Sequence, residues 1–156
     1  MSNSYTHKFL SVFSPEGKLQ QIENTYNAVK SFGLTTVAVR GTDSVVVCTQ
    51  KKVPDKLIVK DSVTNIFKIT DTIGVIVTGS VTDAKSLITF YRMKAAEFKF
   101  KNGYHVPVHV MAKIASERNQ LATQFVGLRS MRCVFTFVGI DEEKGPQVYK
   151  VDPSGH

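Results

Sequence analysis

Leu34-Thr35-Thr36-Val37-Ala38-Val39-Arg40 and Ser44-Val45-Val46-Val47-Cys48-Thr49-Gln50 are two β-rich runs joined by Gly41-Thr42-Asp43. β-Branched side chains suit a pleated surface, and a three-residue link carrying a glycine folds a pair of strands back on itself. The stretch therefore reads as a hairpin, and a hairpin fixes antiparallel pairing. Two further pairs follow the same logic. Ile66 to Thr70 and Ile73 to Thr78 turn at Asp71-Thr72, and Cys133 to Ile140 turns through Asp141-Glu142-Glu143-Lys144-Gly145 into Gln147 to Val151. The run from Ile73 is nearly all apolar, which predicts a strand buried on both faces.

Helices stand apart from these hairpins. Ser14-Pro15-Glu16-Gly17 is a turn signal, with Pro15 preset for its second position and Gly17 suited to its fourth. Leu19, Ile22, Tyr26 and Val29 then recur at helical spacing. Ser80 with Asp83 resembles a capping box, and Ala84, Leu87, Ile88, Tyr91, Ala95 and Phe98 share one face of the helix that follows. Lys99 and Lys101 suit its negative end, and Asn102-Gly103 suits a left-handed cap. Pro107 opens a third helix, with Val108, Met111, Ala112, Ala115, Ala122 and Phe125 as its stripe. The order is helix, four strands, two helices, two strands, which is α+β. The last hairpin needs cover on its second face. No segment of the sequence suggests itself for that, so the cover is expected from another chain or from a longer version of this one.

The chain has 156 residues, 42% hydrophobic and 21% charged, which fits a single domain with a core of its own. Cys48 and Cys133 both lie in apolar runs and read as buried, reduced thiols, an intracellular pattern. No run is long and apolar enough for a membrane span. The net charge of +7 raises the question of a polyanion partner. Its lysines and arginines are scattered, however, and do not alternate with aromatic residues as a single-strand-binding face requires. A basic nucleic-acid-associated domain is the weaker reading.

Chemistry is sparse. Neither type of glycine-rich phosphate loop is present, so no cofactor is expected. His105 and His109 are four apart, but Pro107 lies between them and no third ligand is evident, so no metal is expected either. Thr35-Thr36 invites comparison with a threonine nucleophile, whose base is its own free amine. Here 34 residues precede Thr35, and Gly33 is followed by Leu34 rather than threonine. Two β-branched residues opening a strand explain the pair better than catalysis does.

Several blocks together resemble a known family. Phe13-Ser14-Pro15-Glu16-Gly17-Lys18-Leu19 with Gln21-Ile22-Glu23 is similar to the N-terminal signature of proteasome alpha subunits. Leu34 to Gly41, Thr49 to Leu57 and Gly139 to Lys150 look like the iota-type (type 6) alpha subunit of the eukaryotic 20S core. The resemblance implies a four-layer αββα sandwich of the N-terminal-nucleophile hydrolase type, here without its C-terminal portion. It divides the chain into a gate segment, 1–13, and an alpha-type domain, 14–156. It implies a non-catalytic role in ubiquitin-dependent protein degradation. The subunit would sit in a seven-membered alpha ring on beta subunits, shape the substrate gate and dock a regulatory particle or activator. Cytoplasm and nucleus are the implied locations, with no membrane or nucleic-acid partner.

The site residues follow from the same resemblance. Thr6, His7 and Lys8, with Pro15, take the gate positions, although the family places Tyr-Asp-Arg where Thr6-His7-Lys8 stand. Leu19, Gln21, Ile22, Glu23 and Tyr26 belong to a ring-surface helix that meets neighbours. The family's Glu-Tyr-Ala in that helix is Glu23-Asn24-Thr25 here. Asn65 replaces the lysine that pairs with an activator's C-terminal carboxylate, and its uncharged amide implies weak docking of such tails.

Overall fold

A computed structural model describes residues 13–53, 55–125 and 128–156. Helix α1 spans Gln20–Ser31, and the first hairpin pairs β1 (Thr36–Arg40) with β2 (Val45–Thr49). A 3₁₀ turn at Lys60–Ser62 leads to β3 (Ile66–Lys68) and β4 (Ile73–Gly79). Helices α2 (Val81–Asn102) and α3 (Val108–Gln124) come next, then β5 (Cys133–Asp141) and β6 (Gly145–Val151). The expected order is thus observed, and every strand pair is antiparallel.

The strands form two sheets. One is the β1–β2 hairpin, and the other has four strands in the order β3-β4-β5-β6. Register decides which side chains share a face. Val75 pairs with Phe137 and Val77 with Phe135, and Phe135 and Phe137 pair in turn with Val151 and Tyr149. That face packs under α2 and α3 and forms the core with Leu87, Ile88, Tyr91, Met111 and Ala115. The Tyr91 ring meets the Phe135 and Phe137 rings edge-on, with centroids 5.4 and 5.5 Å apart. Aromatic pairs in this geometry contribute beyond their buried area. Burial pushes the Cys133 thiol up to about 12, so that cysteine is an inert core residue.

The opposite face of the four-stranded sheet meets the β1–β2 hairpin. One contact between them is a hydroxyl pair: Thr36 Oγ1, which lies 2.8 Å from Thr49 Oγ1 within the hairpin, stands 2.9 Å from Thr78 Oγ1 of β4. The hairpin also lies against β5 and β6 and so covers part of their second face. Val134, Thr136 and Val138 stay half-buried on that face and Ile140 is 56% exposed, so the cover is partial and leaves room for the further layer that the sequence led us to expect; periodicity reports that a strand has two apolar faces, not which distant element meets each. Exposure continues outward. Val37, Val39 and Val46 are 56%, 59% and 66% exposed on the hairpin's outer face. Cys48 lies there too and is exposed, not buried as expected. Three layers are thus present, helices on sheet on hairpin, in an α+β sandwich.

Local signals explain the helix ends. Ser80 Oγ accepts from the Asp83 amide at 3.3 Å, and Gly103 closes α2 with φ 81°. The helix can begin close against β5 because Gly79 has no side chain. At its φ of +119° a Cβ would stand 2.4 Å from the Arg132 carbonyl oxygen. Phe125, expected on the α3 stripe, is that helix's extended C-cap and 55% exposed. The apolar pattern overran the point where the backbone leaves helical geometry.

Candidate functional site

The turn before α1 forms as its residues dictate. The Ser14 amide donates to Lys18 O and the Gly17 amide to Ser14 O, each at 2.8 Å, and Ser14 Oγ accepts from the Lys18 amide. Gly17 takes φ 77°, and Pro15 is exposed at the tip. Phe13 bridges back to Leu19. The gate positions Thr6, His7 and Lys8 lie outside the described residues.

On α1 the side chains separate by role. Thr25 and Val29 are buried, while Leu19, Gln21, Ile22 and Tyr26 are half-buried and Glu23 is exposed. The inner face is thus centred on Thr25 and Val29 rather than on Leu19, Ile22 and Tyr26. Thr25 can sit inside because its hydroxyl donates to Gln21 O at 2.9 Å, which meets its hydrogen-bonding need within the helix. Glu23 holds Lys18 at 3.3 Å across the turn.

Tyr26 reaches the far end of the chain, where its hydroxyl donates to Asp152 Oδ2. Asp152 Oδ1 accepts from Ser154 Oγ at 2.6 Å and from the Ser154 and His156 amides. Asn119 Nδ2 donates to Asp152 O at 2.8 Å, and Ser116 Oγ donates to Gly155 O. One aspartate turn therefore clamps α1 and α3 together. Burial alone would raise the Asp152 carboxyl, but the hydrogen bonds from Ser154, Tyr26 and the His156 amide outweigh it and hold the group below its ordinary range. Burial, aided by Asp152, raises the Tyr26 phenol. In the sequence, Asp152-Pro153-Ser154-Gly155 reads locally only as a turn. The signal for more was an aspartate two residues before a serine, an arrangement that caps its own loop, but nothing local named Tyr26 as the partner.

Asn65 is 5% exposed. Its Nδ2 donates to Gln50 O at 3.2 Å, and its main-chain carbonyl accepts from the Val77 amide. The side chain thus ties the end of β2 to the start of β3, apart from α1. Thr36 lies within β1, its hydroxyl shared with Thr49 and Thr78. Thr35 donates its backbone N–H to Gln50 Oε1, so that nitrogen is a peptide amide and not a free amine. His105 sits beside Lys99, and no cluster of three or more His, Cys, Asp or Glu side chains suited to a metal ion occurs among the described residues. Nor, among them, is any helix long and apolar enough to cross a membrane.

Helix α1 thus lies on an antiparallel sandwich, is fixed by Asp152 and is preceded by an exposed turn. Comparison with known proteins gives the family. The sequence profile of the proteasome subunit family matches residues 30–156. The chain belongs to that family. Within it, the chain is similar to alpha subunits: 43% identical over 149 residues to proteasome subunit alpha type-6 of Caenorhabditis elegans, covering 96% of this chain and 61% of the relative. A probable alpha type-1 subunit of Schizosaccharomyces pombe is also 43% identical, over 94% of this chain and 60% of its own. The alpha subunit of the archaeon Methanosarcina mazei is 34% identical, over 94% and 58%. The chain thus spans about three-fifths of the length of the curated relatives it matches.

Proposed function

We propose that this chain acts as a non-catalytic alpha-ring component of a 20S proteasome core, in protein degradation in the cytoplasm and nucleus. Its partners are other alpha subunits in a seven-membered ring, beta subunits beneath, and a regulatory particle or activator above. The observation that carries this reading is the similarity to alpha subunits over nearly the whole chain. Two structural facts support it. The only threonines at the head of β1 carry peptide nitrogens, and Thr36 spends its hydroxyl on two other threonines. A threonine nucleophile needs a free amine as base. In addition, α1 keeps Gln21, Ile22 and Glu23 at or near the surface while Tyr26 anchors it from behind.

The reading extends to the gate and the tail pocket. Thr6, His7 and Lys8 contribute a gate segment that orders differently from a Tyr-Asp-Arg one. An activator tail finds no lysine at Asn65, whose amide is already engaged with Gln50 O, so tails dock weakly there. Native mass measurement of the chain co-expressed with a full set of alpha and beta subunits tests the main proposal. Incorporation into a stacked-ring particle is expected, and a stable monomer beside complete particles would overturn it. Crystals soaked with an activator tail peptide test the second: a carboxylate bound beside Asn65 would refute weak docking.

A further inference from the structure

A hollow of about 400 Å³ opens between α2, the β3–β4 turn and the link to α3. Its floor is small because Ala95 and Ala96 lie between two long cations of α2, Arg92 and Lys99. These two are seven residues apart, about 10 Å along a helix. One wall carries Lys68 and Asp71, which form an ion pair, and the other carries His105. The groups are ordered by their contacts. Arg92 Nε donates to Lys68 O at 2.8 Å, which leaves the outer nitrogens of its guanidinium for a ligand. Lys99 Nζ stands 3.2 Å from His105 Nε2. Three formal positive charges thus face one negative charge, that of Asp71. The field is registered by Asp71 itself: Lys68 above all, with smaller pulls from His105 and Lys99, holds its carboxyl below the ordinary range.

We infer that this hollow docks an extended acidic segment of a partner protein, with carboxylates at alternate positions, one on the Arg92 guanidinium and one on Lys99 beside His105. The spacing selects this occupant. In an extended chain, residues two apart point the same way and lie about 7 Å apart, and two flexible glutamate side chains can splay to reach cations rooted about 10 Å apart on the helix. The residue between them points away, and the Ala95–Ala96 floor leaves room for the backbone. A single compact anion engages one pole only. Arginine accepts a carboxylate through two parallel bonds, which sets the orientation of the segment. This inference does not rest on the ring reading, since the charges and the floor belong to this chain alone.

The test titrates the chain, at low salt, with acetyl-Glu-Ala-Glu-amide and follows backbone amide resonances. Saturable shifts are expected at Thr70, Ala96, Lys99 and His105, weakening as salt is raised. Acetyl-Glu-Ala-Gln-amide is expected to bind about fivefold more weakly, and acetyl-Gln-Ala-Gln-amide not at all. Lys99→Gln, an exposed substitution that spares the fold, should abolish the preference for two carboxylates over one. Arg92→Lys keeps the charge but loses the fork and should weaken both acidic peptides. Equal shifts with the Gln-Ala-Gln peptide, an unaltered preference in Lys99→Gln, or inorganic phosphate binding more tightly than the diacidic peptide would each overturn the inference.

Discussion

The inner face of β4 and β5 and the outer face of the β1–β2 hairpin are written in the same apolar alphabet and meet opposite fates. Val75, Val77, Phe135 and Phe137 are wholly buried, while Val37, Val39 and Val46 are more than half exposed. The difference lies in what is laid across each face. Helices α2 and α3 cover the first, and no described element covers the second. Apolar alternation is thus a statement about what a face can accept, and only topology says what it receives.

The sharpest test of that contrast is Phe137→Ala. Truncating an aromatic ring that touches Tyr91 and Phe135 in the core should cost about 3–5 kcal/mol, read as a loss of denaturant midpoint. Gly79→Ala should cost somewhat less, about 2–3 kcal/mol, because the new Cβ meets the Arg132 carbonyl and a positive φ opposes it. If it proved neutral, the tight junction of α2 with β5 would not hold the core face in place.

Tyr26→Phe removes one hydrogen bond to a charged partner and should cost about 1–2 kcal/mol at neutral pH. It also changes the acid response. The Asp152 carboxyl is held below its ordinary range, so its contribution is fully present above the unfolded carboxylate pKa and is lost as pH falls through the lower folded value. The loss of stability below about pH 4 should therefore be shallower in Tyr26→Phe than in the parent, measured by thermal melts across that window. An unchanged slope would remove Tyr26 from the clamp. The smallest effect belongs to the outer face: Val39→Thr should shift the stability of this chain by no more than about 0.5 kcal/mol. A cost comparable to Phe137→Ala, seen only within an assembled particle, would show that this face too is covered there.

Much of this was legible in the residues. Glycine-bearing links marked the first and last hairpins and Asp71-Thr72 the middle one, and Ser80 and Gly103 marked the ends of α2 because caps are local chemistry. What could not be read was long-range. The first hairpin covers part of β5 and β6, and Tyr26 finds Asp152, across separations that no periodicity encodes. Cys48 was misjudged for the same reason, since an apolar neighbourhood in sequence was mistaken for one in space. Of the candidate site, the turn at Ser14 to Lys18 and the helix after it were readable. The burial of Asn65 was not, because an asparagine is equally at home in a surface turn.

The row of threonine hydroxyls from Thr49 through Thr36 to Thr78 has a further consequence, for the order in which the molecule comes apart. A hydroxyl gives or takes a hydrogen bond with equal ease, and water can replace any one of the three. The hairpin can therefore lift from the larger sheet without stranding a charge or breaking an aromatic cluster. Opening of this kind costs less than unfolding the whole. Amides of β1 and β2 are therefore expected to exchange with solvent ahead of those of β4 and β5, as hydrogen exchange would show.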